Sequence, residues 1–163
     1  MPVIELQTFV RAPAERCFDL SRSIDVHLHT SADTGEEVVG PITSGLLGLH
    51  DEVTWRARHL GVRQHLTSRI TAFDRPAHFR DSMVRGAFAR FDHDHWFDTA
   101  EGGTLMRERF DFTAPLGILG RIAERAFLTA YMRRFLAHRM DIIRRVAESD
   151  DWRRFLPADG ASS

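Results

Sequence analysis

Lysine and asparagine do not occur in this 163-residue chain, and cysteine and tyrosine occur once each. All 22 basic side chains are therefore arginine. Without a lysine amine there is no Schiff-base chemistry of the aldolase or pyridoxal type. A Walker-type phosphate loop is excluded for the same reason. Without asparagine there is no N-glycosylation acceptor. The single cysteine, Cys17, forms no internal disulfide and no thiolate metal cluster. Its apolar neighbours in an expected helix mark it as a buried, inert thiol. No apolar run approaches the ~20 residues of a membrane span, so stable membrane insertion is not expected. The segment Met1-Pro2-Val3-Ile4-Glu5 has neither the basic nor the apolar region of a signal peptide, and the cytoplasm is the expected location.

What is present is ordinary for a globular protein: 43% hydrophobic and 28% charged residues, with a formal net charge of −1. That charge gives no field to attract nucleic acid, which is not an expected partner. The length suits one domain, assigned to residues 1–156, with a flexible polar tail at 157–163.

Val3 to Arg11 alternates as a strand. Pro13 begins a short helix carrying Cys17, Phe18 and Leu20, and a second short helix spans Ile24 to Thr30. A short strand is expected near Glu36 to Val39. Long strands follow at Asp51–His59, Val62–Phe73, His78–Val84, Phe88–Thr99 and Thr104–Thr113, separated by turn residues. Leu60-Gly61 and Gly102-Gly103 read as two-residue hairpin loops. The second loop pairs Phe97 with Glu108, Asp98 with Arg107 and Trp96 with Arg109, and sets Asp94 against Asp111. One long helix is expected from Leu119 to Glu148, burying Ile122, Ala123, Ala126, Phe127, Ala130, Tyr131, Phe135, Ile142, Ile143 and Val146. Its arginine pairs, Arg133-Arg134 and Arg144-Arg145, read as a solvated face.

A strand, two short helices, a run of antiparallel strands and a long amphipathic helix resemble the START/Bet v 1-like (SRPBCC, polyketide cyclase/dehydrase-like) superfamily. The segments that carry the resemblance are Arg11 to Leu20, Asp51 to Arg58, Leu66 to Ile70, His93-Asp94-His95 and Pro115-Leu116-Gly117. It extends over roughly Val3 to Ala147 and is greatest to a bacterial ligand-binding subgroup. The resemblance implies an α+β helix-grip fold, a curved antiparallel sheet wrapped around the C-terminal helix with a cavity between. It brings no catalytic signature to these positions and implies no cofactor. Some members carry cell-division labels, so an interaction module is a further alternative.

In that frame the sheet's inner face carries Val53, Trp55, Ala57 and His59 opposite Ser68, Leu66, Gln64 and Val62. Phe79, Asp81, Met83, Phe91, His93, His95, Phe97, Met106, Glu108, Phe110 and Phe112 extend it. Phe127, Tyr131 and Phe135 form the helix side. An aromatic cavity with a few ionisable groups is the usual make-up of a small-molecule site. The candidate ligand-binding residues are Trp55, His59, Asp81, Phe91, His93, His95, Phe97, Glu108, Phe110, Phe127, Tyr131 and Phe135. His95 and Glu108 are expected as diagonal neighbours across the final hairpin.

Four readings of the polar cluster stay open. It is a satisfied buried network, a set that orients a small hydrophobic, aromatic or lipid-like ligand, or an acid–base pair of a cyclase or dehydratase. The fourth is a metal site on His93 and His95 completed by His59 or Glu108, a pattern that alternation alone often produces; no metal is assigned. His27 and His29 face apart on a short helix and are given no role. The protein is expected to be a monomer or homodimer whose partner is a small hydrophobic ligand.

Overall fold

The computed structural model describes residues 2–59, 61–123 and 127–158. Leu60 of the first hairpin loop, part of the expected long helix and most of the expected tail lie outside the described residues. Seven strands form one antiparallel sheet: β1 (Val3–Val10), β2 (Glu37–Val39), β3 (Glu52–His59), β4 (Val62–Asp74), β5 (His78–Arg85), β6 (Arg90–Ala100) and β7 (Gly103–Thr113). Their order is β1-β7-β6-β5-β4-β3-β2, so every neighbour from β2 to β7 is also a sequence neighbour. The crossing from β1 to β2, on opposite edges, is made by α1 (Ala14–Ser21) and α2 (Ile24–Thr30). The chain ends in α3 (Gly117–Ala123) and α4 (Thr129–Glu148).

Local chemistry accounts for these elements. Pro13 stands one place before the first turn of α1, as its N-cap, where its missing N–H costs no hydrogen bond. Ser23 caps α2 by accepting from the Val26 N–H at 3.2 Å. Phe18 of α1 is wholly buried and meets Phe73, Phe79 and Phe97 of the sheet edge-on at 5.3, 5.3 and 5.4 Å. That cluster fixes α1 on the inner face. Ile143, Val146 and Ala147 of α4 close the same core, and a second cluster gathers Ile4, Phe91, Phe110, Phe112 and Leu136.

The β3–β4 register is the one expected from sequence, with Val53, Trp55, Ala57 and His59 opposite Ser68, Leu66, Gln64 and Val62. The last hairpin differs. Its loop is Glu101-Gly102, and Ala100 pairs with Gly103. Gly102 takes the left-handed conformation at φ 79°, while a Cβ on Gly103 would lie 2.1 Å from the Val10 carbonyl oxygen of β1. The two glycines therefore answer different constraints, and only the first supplies turn geometry. The pairing slides by two residues, an even shift that leaves every side chain on its expected face.

The slide changes the partners. Phe97 pairs with Met106, His95 directly with Glu108, and Asp94 with Arg109. The acidic pair becomes Asp92 with Asp111, bridged by Arg90 with 2.9 Å contacts to each. Arg107 stands opposite Trp96 and reaches Asp98 diagonally at 2.7 Å.

The long C-terminal helix expected from sequence is present, and its local geometry departs from a regular α-helix at one place. Residues 127 and 128, just before α4, adopt π-helical geometry. Leu136, Met140, Ile143, Val146 and Ala147 are the buried positions of α4. Ile122 is exposed and Phe127 half-exposed, and Ala130 also faces outward.

Candidate functional site

Between the inner face of β3–β7 and the helices α3 and α4 lies a cavity of about 340 Å³. Among the sequence candidates, Trp55, His59, Asp81, Phe91, His93, Phe110, Phe127, Tyr131 and Phe135 line it. Strand alternation explains the sheet side: inner-face residues of adjacent antiparallel strands present their side chains to one layer. His95 and Glu108 sit one layer deeper, buried against the wall. Phe97 does not belong to the site. It packs with Phe18 and Phe79 in the main core, beyond the layer of polar side chains.

The polar groups form three small sets. In the first, His59 Nδ1 and the Tyr131 hydroxyl are hydrogen-bonded at 2.8 Å, joining β3 to α4. Burial lowers the pKa of His59, favouring the neutral ring.

The second set lies across β5, β6 and β7. His95 Nε2–H donates to Asp81 Oδ1 at 3.1 Å, and His93 Nε2–H donates to Glu108 Oε2 at 3.2 Å. His95 Nδ1 lies 3.4 Å from Glu108 Oε1, at ion-pair distance without the alignment of a hydrogen bond. Phe79 stacks on His95 with ring centres 4.3 Å apart, and Phe110 meets the His93 ring edge-on.

Burial opposes a charge on His95, but the Asp81 hydrogen bond and the Glu108 carboxylate outweigh it and raise its pKa to about 9. His93 is held neutral by burial and by the adjacent charged ring. Burial also works against ionised Glu108, yet its two imidazole neighbours hold it well below the ordinary carboxylate range.

Sequence reasoning missed the third set. His27 of α2 points into the cavity, stacks on Trp55 at 3.8 Å and approaches Glu36 at 3.1 Å, so the absence of a role expected for it is corrected. Despite its burial, Glu36 has a pKa lowered to about 2 by His27 and Ser31. Arg139 of α4 also lines the cavity. The available signal was the spacing Ile24-His27-Thr30, one helical face whose flanking members are fully buried. Arg139 shares a three- and four-residue spacing with Phe135, Leu136 and Ile143.

At one end the cavity has an apolar rim, where Leu116, Leu119 and Phe127 line it while remaining 80%, 72% and 49% exposed. Cys17 is remote from this opening and wholly buried, with its thiol pushed up to about 11 by burial, as an inert core cysteine should be.

No family model and no curated protein matches the sequence. Solved structures do. A START superfamily protein from Mycobacterium smegmatis superposes with a TM-score of 0.66 at 13% identity, covering 90% of this chain and 97% of that one. Ginseng major latex-like protein 151 from Panax ginseng gives 0.66 at 15% identity, over 91% and 98% of the two chains. The protein TTHA0849 from Thermus thermophilus gives 0.67 at 17% identity, over 87% and 97%. Together with the seven-stranded antiparallel sheet and the helices packed on its inner face, these likenesses show that the chain has the helix-grip fold.

Proposed function

We propose that this protein binds a small hydrophobic, aromatic or lipid-like molecule in the cavity between the sheet and its C-terminal helices. The observation that carries the reading is the composition of the wall. Trp55, Leu66, Phe91, Phe110, Phe135 and Leu136 supply apolar surface, with polar atoms confined to a few fixed positions. An apolar body would gain roughly 25 cal/mol for each Å² it removes from water there. His59 with Tyr131, and His93 with Asp81, would orient a hydroxyl or carbonyl. The apolar rim at Leu116 and Leu119 provides an entrance that does not demand hydration of the ligand. Release of that ligand elsewhere would make the protein a carrier.

The test is native mass spectrometry of the purified protein, followed by a thermal-shift screen of aromatic acids, fatty acids and polyketide-like phenols. Ala57 lines the cavity and is buried, so Ala57→Phe should occupy its volume. Stabilisation by a retained or added compound, abolished in folded Ala57→Phe, supports the reading. Equal stabilisation of both proteins overturns it.

A cyclase- or dehydratase-like reaction is a second reading, favoured by the Asp81 carboxylate and the neutral His93 ring at the cavity wall. Turnover of a bound compound, lost in Asp81→Asn with binding retained, separates it from carriage.

A further inference from the structure

The two imidazoles of β6 and the carboxylate of Asp81 have an arrangement that hydrogen bonding alone leaves incomplete. Glu108 Oε2 accepts a hydrogen bond from His93 Nε2–H, and its Oε1 lies 3.4 Å from His95 Nδ1. Both rings therefore turn their other nitrogens away from Glu108. Those nitrogens, His93 Nδ1 and His95 Nε2, lie 3.8 and 3.1 Å from one atom, Asp81 Oδ1. His93 Nδ1, His95 Nε2 and a carboxylate oxygen of Asp81 thus come together at one place in the wall, with Glu108 behind both rings.

We infer that Asp81, His93 and His95 form a binding site for a divalent transition-metal ion, with Glu108 as the positioning residue behind both rings. One donor atom from each of the three lies within 4.8 Å of the other two. Donors at ~2.0–2.2 Å from a tetrahedral ion stand roughly 3.3 Å apart, so closure needs only small side-chain movement. Metal-bound histidines commonly give their remaining N–H to a carboxylate, the place Glu108 fills here.

Charge agrees with this assignment: a divalent ion would displace the proton that His95 Nε2 gives to Asp81 and balance the two carboxylates, Asp81 and Glu108. Two nitrogens and one oxygen suit zinc, cobalt or ferrous iron rather than calcium or magnesium. Asp81 and His93 also line the cavity, so the fourth position opens toward it. A water or an oxygen of a bound molecule would complete the shell there. The inference does not depend on the ligand-binding proposal, because the ion is tested without an organic ligand.

The test uses chelator-stripped full-length protein titrated with Co²⁺ and Zn²⁺, read by visible absorption and calorimetry, with the bound ion located by anomalous diffraction. The expected result is one ion per chain with intense Co²⁺ d–d bands, displaced by Zn²⁺. Asp81→Asn and His95→Gln should abolish those bands. Glu108→Gln should weaken affinity by roughly 10–100-fold. His65→Gln, on the exposed face of β4, should leave it unchanged. Absence of stoichiometric uptake overturns the site, as does uptake equal in folded Asp81→Asn. If these variants do not fold, the wild-type anomalous map decides, and an ion at any other position overturns the inference.

Discussion

Glu108 stands directly across the β6–β7 ladder from His95, and its other oxygen accepts from His93 on the same face. One carboxylate thus serves two imidazoles in a wall where all three side chains are almost completely buried. Removing it leaves His95 with Asp81 as its remaining counter-charge. Glu108→Ala should cost about 3–5 kcal/mol, the range for breaking a buried ion pair. Glu108→Gln keeps the shape and an acceptor for His93, and should cost about 1.5–3 kcal/mol. Urea unfolding of both variants checks the order, and equal losses would show that the charge carries the whole effect, with shape and the acceptor for His93 adding nothing.

Phe127 and Phe112 look alike in sequence and differ in place. Phe112 is 0% exposed in the second core cluster, whereas Phe127 is 49% exposed at the cavity rim. Phe112→Ala should cost about 3–5 kcal/mol through the void it leaves. Phe127→Ala should cost less than about 1 kcal/mol while accelerating exchange of any bound apolar compound. Thermal unfolding with stopped-flow release of a fluorescent fatty acid measures both. A Phe127→Ala loss as large as that of Phe112→Ala would contradict the rim assignment.

The face of most strand residues was legible in the sequence, because β3 to β7 alternate over eight to thirteen residues, interrupted only where the β4–β5 register shifts near Thr67 and Ile70. Register was less so. Gly102-Gly103 offers two possible two-residue loops, and choosing between them depends on β1, whose Val10 carbonyl approaches Gly103 too closely for a side chain. The helix face was partly hidden because the π turn at 127–128 breaks the period. His27, Glu36 and Arg139 were missed for another reason: charged and polar residues look solvated until a cavity is placed beside them, even where their spacing matches a buried face.

The two glycines of the last hairpin should separate cleanly. Gly102 needs its positive φ, but a Cβ there would meet nothing within 4 Å. Gly102→Ala should cost about 1–2 kcal/mol, the strain of the left-handed region. Gly103→Ala forces apart the β1–β7 pairing and should reach about 3 kcal/mol or more. Amide exchange should also show loosened protection along β1 in Gly103→Ala alone. Uniform protection in both variants would rule out the close approach as the reason for Gly103.

Asp19 gives the sharpest test of pH dependence away from the cavity. Arg75 of the β4–β5 turn and Arg22 after α1 each reach its carboxylate at 2.7 Å. Burial alone would raise its pKa, but the two guanidinium groups outweigh burial and hold it below the ordinary value of about 3.9. A carboxylate with a depressed folded-state pKa contributes stability above its unfolded pKa and loses it as pH falls through the folded one. The Asp19 contribution should therefore be fully present at neutral pH and fade below about pH 4. Because Arg75 is 44% exposed, solvent screening limits the pair to about 1 kcal/mol. Asp19→Asn should accordingly lower the urea midpoint at pH 7 and converge with the native protein as pH approaches 2. A deficit that stays constant across this range would mean that Asp19 acts through packing and hydrogen bonds alone, without its charge.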